Sequence, residues 1–141
     1  MPLGSDDELA ILRLLNMYAQ CGSRQDADGL ANLFTEDGVW ERKEGAQQGK
    51  YTERIKIEGR EAWRAFALEM FEVQGSTGYQ YVAANAVVTG EGDRAEGVST
   101  AIILGMSNEA ASIILIGNFE DEYRRTRDGW KFAYRGMRVS F

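Results

Sequence analysis

The chain has 141 residues, of which 44% are hydrophobic and 27% charged, and it carries a formal net charge of −6. That is one domain's length, enough to bury a core without disulfides or metals, and its acidity excludes the basic footprint of general nucleic-acid binding. No apolar run approaches the ~20 residues that span a bilayer, no secretion signal is visible in MPLGSDDEL, and the lone Cys21 excludes an intrachain disulfide framework.

These features predict a cytoplasmic protein with no membrane partner, comprising a disordered or cloning-derived tail over 1–5 and a single domain over 6–141. In chain order, DDELAILRLLNMYAQC has helical spacing in Leu9, Leu12, Leu15 and Tyr18. Ser5 and Glu8 form a capping-box pattern ahead of it, and Gly22 is a natural stop. A short second helix over roughly 26–34 carries Leu30, Leu33 and Phe34. DGVWERKE reads as a strand, GAQQGK as a loop and YTERIKI as the return strand. GREAWRAFALEMFEV is a third helix with Trp63, Phe66, Leu68, Met70 and Phe71 on its apolar side.

Everything after that reads as extended. YQYVAANAVVTG turns at EGD into RAEGVSTAIILGM, and SNEA leads into SIILIGNFEDEYRRTR. Asp128–Gly129 is a two-residue hairpin signal before WKFAYRGMRVSF. Three helices and four long consecutive strands predict an α+β domain with a mostly antiparallel sheet. Glycines 97, 105, 117 and 136 inside those strands suit a bent sheet, and a bent sheet closed by helices encloses a pocket.

The stretches RQDADGLANLFTEDGVW, IEGREAWRAF and SIILIGNFEDEYRRTRDGWKF resemble the SnoaL-like polyketide cyclases of the nuclear-transport-factor-two-like superfamily. Within it the last of these stretches is most similar to the scytalone dehydratase and hexachlorocyclohexane dehydrochlorinase branch. The resemblance implies a cone-shaped curved sheet closed by three helices, a cystatin-like α+β barrel, assembled as a homo-oligomer (dimer or trimer). The branch works through an Asp–His dyad. The corresponding positions here are Ser23, three residues before Asp26, and Tyr81, four before Asn85, so both dyad members are missing.

By the same resemblance the pocket contains Tyr18, Trp40, Tyr79, Tyr81, Asn118 and Arg135, the last at a position where the dehydrochlorinase has a leaving-group arginine. Strand parity groups Lys131, Ala133, Arg135 and Met137 on one face, with Trp130, Phe132 and Tyr134 on the other. The chain has no histidine, so neutral-pH proton transfer falls to other groups. Tyr81 reads either as a core tyrosine or as a general acid, since an unperturbed phenol near pKa 10 is a poor base. Arg135 reads as a solvated hairpin arginine or as the cation that holds an oxyanion. Tyr18 reads as core or proton relay, and Trp40 and Tyr79 as ring-stacking walls. Ser23 reads as a cap of the second helix or a substrate contact, and Met137 as pocket lining. Glu41 and Asp121 are the carboxylates to test as a base, against pairing with arginines on the outer sheet face.

With no histidine, one cysteine and neither a calcium-type acidic loop nor a glycine-rich phosphate loop, no metal or cofactor is expected. The expected activity is that of a cofactor-independent lyase or isomerase. Its substrate would be a small aromatic or polycyclic hydroxy or carbonyl compound, and its reaction dehydration, isomerisation, cyclisation or retro-aldol-type cleavage. The alternative is a non-catalytic small-molecule-binding protein of the same fold.

Overall fold

A computed structural model of the protein describes residues 2–43, 53–75, 79–107 and 109–140. Helix α1 (Ser5–Ser23) buries the stripe Ile11, Leu14, Leu15, Tyr18 and Cys21, as its periodicity requires. Ser5 lies inside the first turn rather than capping it; Gly4 holds the cap position and no side chain caps the helix. Asp6, Asp7 and Glu8 in that turn instead favour the positive end of the helix dipole. Helix α2 (Ala27–Asn32) is capped by Asp26, whose Oδ1 accepts from the Gly29 amide at 2.8 Å. Helix α3 (Arg60–Gln74) buries Trp63, Ala67 and Phe71, whereas Leu68 faces outward.

The strands are β1 (Phe34–Arg42), β2 (Ile55–Glu58), β3 (Gln80–Glu91), β4 (Arg94–Ser107), β5 (Ala110–Thr126) and β6 (Gly129–Val139). They form one curved sheet in the order β2-β1-β6-β5-β4-β3, parallel only between β1 and β6 among the described pairs. The α+β class with three helices is as expected, but the barrel is not closed: edge strands β2 and β3 do not pair. Instead α1 packs against both β3 and β6 and fills the concave side. The loop expected over 45–50 lies outside the described residues. Pro2 forms an antiparallel bridge with Glu91, and Leu3 packs on the core.

Strict alternation fails on β6. Glu122 pairs with Tyr134 but Tyr123 pairs with Phe132, which leaves Ala133 as an extra residue in a bulge. Trp130 and Phe132 therefore face the core together with Arg135, Met137 and Val139, while Tyr134 turns to the outer face. The expected grouping of Lys131 and Ala133 with Arg135 is overturned by that single inserted residue. A second bulge interrupts β3 between Ala84 and Val87, where Asn85 adopts a φ of 56°.

Candidate functional site

The concave face and the helices enclose a cavity of about 70 Å³. Its walls come from α1 (Leu15, Tyr18), β1 (Trp40, Arg42), α3 (Met70, Gln74), β3 (Tyr81, Ala83), β4 (Ala101, Ile103), β5 (Leu115, Phe119) and β6 (Arg135, Met137). The lining is largely apolar with a few convergent polar groups, the composition of a small-molecule site. The space is well below the ~300 Å³ of a drug-sized pocket. It suits a ligand of a few heavy atoms, or a single ring if the flexible Met70 and Met137 give way.

Arg135 dominates the electrostatics. It is 1% exposed, and its guanidinium carbon lies 3.4 Å from the Phe119 ring centroid, 4.2 Å from Tyr18 and 4.7 Å from Phe132. These ring faces attract a cation but donate no acceptor oxygen. Arg135 Nε is 3.5 Å from Asp121 Oδ1, too long for a hydrogen bond, and among the described residues Nη1 has no hydrogen-bond partner. Asp121 is 3% exposed and its Oδ2 accepts from the Tyr123 hydroxyl at 2.8 Å. Burial pushes the Asp121 carboxyl above the usual range, and Arg135 pulls it partly back. The pair is thus close but not joined by a hydrogen bond, an under-satisfied arrangement that is uncommon in native interiors.

Tyr18 sits at the helix–sheet junction with its hydroxyl accepting from Trp40 Nε1 at 3.1 Å. Burial pushes its phenol up to about 12, so it remains a neutral hydrogen-bonding group across the neutral pH range. Trp40 stacks on Trp63 with centroids 4.8 Å apart and 16° between planes, which fixes both rings as wall. Tyr81 reaches the cavity from β3, its hydroxyl accepting from Gln74 Nε2 at 2.9 Å. Its ring lies flat against α1 because residue 22 is glycine: a Cβ there would stand 2.9 Å from the Tyr81 ring. Gly22 therefore serves close packing, and the helix continues one residue past it.

Of the eight residues expected in the site, Tyr18, Trp40, Tyr81, Arg135 and Met137 line the cavity together, and three do not. Ser23 ends α1 instead of opening α2; its hydroxyl donates to the Ala19 carbonyl and accepts from the Tyr81 amide at 2.9 Å. The two positions expected to correspond to the branch's dyad are thus neighbours, but the contact is a backbone anchor. Asn118 is exposed on the outer face, because on β5 the inward residues are Leu115, Gly117, Phe119, Asp121 and Tyr123. Tyr79 shares the parity of Tyr81 yet lies beyond the cavity, its ring over Gly105. Glu41 also lies outside: it accepts from Tyr134 at 2.6 Å and Arg54 at 2.9 Å. The Tyr134 hydrogen bond holds its carboxyl below the usual range, the opposite of what a neutral-pH base needs.

Arg42, Phe119 and Gln74 are among the lining residues that the sequence does not single out. Arg42 shares strand parity with Trp40 and was open to the same argument. Phe119 shares parity with Asp121. Gln74 ends a helix, and nothing in its local sequence marks it.

The SnoaL-like domain family matches residues 5–136. No curated protein matches the chain. Among solved structures, a Mycobacterium tuberculosis protein of unknown function superposes with a TM-score of 0.82 at 25% identity, covering 97% of this chain and 78% of that one. A Novosphingobium aromaticivorans NTF2-like protein with a cystatin-like fold gives 0.81 at 22% identity, covering 95% and 82%. A "putative aromatic ring hydroxylase" of the same organism gives 0.79 at 27% identity, covering 99% and 92%. With its curved sheet, three helices and enclosed cavity, the chain belongs to the SnoaL-like domain family.

Proposed function

We propose that the protein is a cofactor-independent lyase or isomerase that moves a proton beside an oxygen of a small, single-ring hydroxy or carbonyl compound. The observation that carries this reading is Arg135, a buried guanidinium with an unmatched donor on the wall of an apolar cavity. A substrate carbonyl or hydroxyl oxygen supplies the missing acceptor, and charge developing there is stabilised most where water is excluded. Tyr81, held by Gln74, is the proton donor, and Trp40 and Tyr18 form the wall against which the ring packs. The small cavity favours one ring over the polycyclic substrates of the initial expectation.

Deuterium incorporation tests this directly. In heavy water the wild type should exchange the α-protons of aryl ketones or of β-hydroxy ketones faster than buffer does. Tyr81→Phe should slow that exchange by roughly 10²-fold. The pair replacement Arg135→Met with Asp121→Leu should abolish it without unfolding the chain. Exchange at the wild-type rate in both variants refutes the assignment.

A second reading, binding without turnover, is supported by the carboxylates: Glu41 faces outward, and Asp121 is tied to Tyr123 and Arg135. Saturable binding with no exchange would select it. The homo-oligomer is also a proposal. Its best surface is the outer face of β3, β4 and β5, where Val87, Val98 and Ile113 are 62%, 53% and 51% exposed. A monomer by light scattering would dismiss it.

A further inference from the structure

At the end of α1, Gly22 lies against the Tyr81 ring and the Ser23 hydroxyl accepts from the Tyr81 amide. Two residues further on, between α1 and α2, Gln25 adopts a φ of 57°, a left-handed conformation uncommon outside glycine. Glycine or asparagine would occupy that backbone more cheaply. The Gln25 side chain reaches across to the end of α3, where its Nε2 donates to the Gly75 carbonyl at 2.7 Å. Gly75 closes α3, and Gln74 immediately before it donates to the Tyr81 hydroxyl at 2.9 Å.

The last carbonyls of a helix have no partner within it, and a last turn frays where nothing holds it. Gly75 leaves the helix at a φ of 70°, with its amide bonded back to the Phe71 carbonyl. Its own carbonyl is bonded from outside the helix, by Gln25. That bond fixes the backbone one residue from Gln74 and so limits where the Gln74 amide, and the phenol oxygen it meets, can lie. Tyr81 itself is the second residue of edge strand β3, where the sheet supports it from one side. Placement of this kind is consequential, since misplacing a reacting group by about 1 Å can cost about 10²-fold in rate.

We infer that Gln25 is a positioning residue for Tyr81, acting through the Gly75 carbonyl and Gln74 to set the phenol at the cavity wall. The segment from Gly22 to Gln25 thereby holds Tyr81 by its ring, by its amide and, through α3, by its hydroxyl. The inference rests on the reading of Tyr81 as the proton donor and adds the device that aims it.

The test pairs the exchange rate in heavy water with the NMR signal of tyrosine labelled at the ring ζ-carbon, Tyr81 being assigned by the signal lost in Tyr81→Phe. Gln25→Glu keeps the side chain's length but has no proton to give the carbonyl at neutral pH, and Gln25→Gly suits the positive φ while removing the donor. Both should move the Tyr81 signal towards its position in Gln74→Leu and leave that of Tyr134 in place. Both should also slow exchange about ten-fold with the melting temperature nearly unchanged. Gln25→Lys, whose ammonium can reach the carbonyl and donate, should restore most of the signal and the rate. In a Tyr81→Phe background Gln25→Glu should slow exchange no further. An unmoved Tyr81 signal, the wild-type rate in both variants, or an equal loss in the Tyr81→Phe background overturns the inference. If the wild type exchanges nothing, the proton-transfer reading falls, and the Tyr81 signal alone decides whether Gln25 places the phenol.

Discussion

Two arginines on adjacent strands of one hairpin live in opposite circumstances. Arg125 sits at the open end of β5, where Asp7 accepts from its Nη1 at 2.9 Å and Nη2 at 2.8 Å, Asp93 accepts from its Nε at 2.9 Å, and the guanidinium lies 4.7 Å from the Trp130 ring. Arg135, on β6, is buried with one distant carboxylate and an orphaned nitrogen. The well-bonded arginine is half in solvent and ties the start of α1 to a turn. The poorly bonded one faces the cavity. Hydrogen-bond completeness marks the structural cation, and its absence in a buried place is the feature on which the proposed role of Arg135 rests.

The comparison breaks most visibly if Arg135 alone is removed. Arg135→Met leaves Asp121 buried without its compensating charge, and the expected loss is about 3–5 kcal/mol by urea denaturation. Since burial raises the Asp121 pKa above its unfolded value, the penalty is greatest above the folded pKa. It is relieved as pH falls towards the unfolded value near 4. The deficit of this variant should therefore shrink on acidification, and adding Asp121→Leu should recover most of it at pH 7. A deficit that grows with acid would contradict the buried-charge account.

Smaller effects sharpen the same contrast. Gly22→Ala places a methyl 2.9 Å from the Tyr81 ring, and the overpacking should cost about 1–3 kcal/mol and displace Tyr81 from the cavity. Near-UV circular dichroism and denaturation together would register both. Tyr81→Phe forfeits the Gln74 hydrogen bond, about 1 kcal/mol, so any larger change in exchange rate belongs to chemistry rather than stability.

Arg125→Gln should have the least effect, visible chiefly in acid. Asp7 is held below the usual carboxylate range first by its hydrogen bond from Arg125 and then by that from Trp130. A depressed folded pKa contributes stability above the unfolded value near 4, and that contribution is lost as pH falls through the folded value. The Arg125→Gln variant should thus differ from wild type at neutral pH and converge with it once the pH has fallen through the depressed Asp7 value. Parallel pH profiles would remove Asp7 from the account.

What the sequence disclosed, and what it hid, follows from the same local physics. Helix α3 and the Asp128–Gly129 hairpin were legible because periodicity and turn chemistry are encoded within a few residues. Trp40, Tyr81 and Arg135 were placed in one cavity by resemblance. The bulge at Ala133 separates Arg135 from the face of Lys131, since one inserted residue reverses every side chain beyond it. Asn118 was misplaced because residues of β5 were assigned to the wall without fixing which parity faced it. Ser23 looked like a cap because its neighbour Asp26 is one. Arg42 was overlooked although Trp40 already fixed its face.

The account depends on the Arg135 guanidinium being the group that meets a bound ligand oxygen. Its Nε–H resonance, identified by its loss in the Arg135→Met/Asp121→Leu protein, can be followed while an aryl ketone is titrated. The prediction is a saturating shift that tracks the binding isotherm, with slower solvent exchange of that proton. Binding that saturates while the Arg135 resonance stays in place would contradict it.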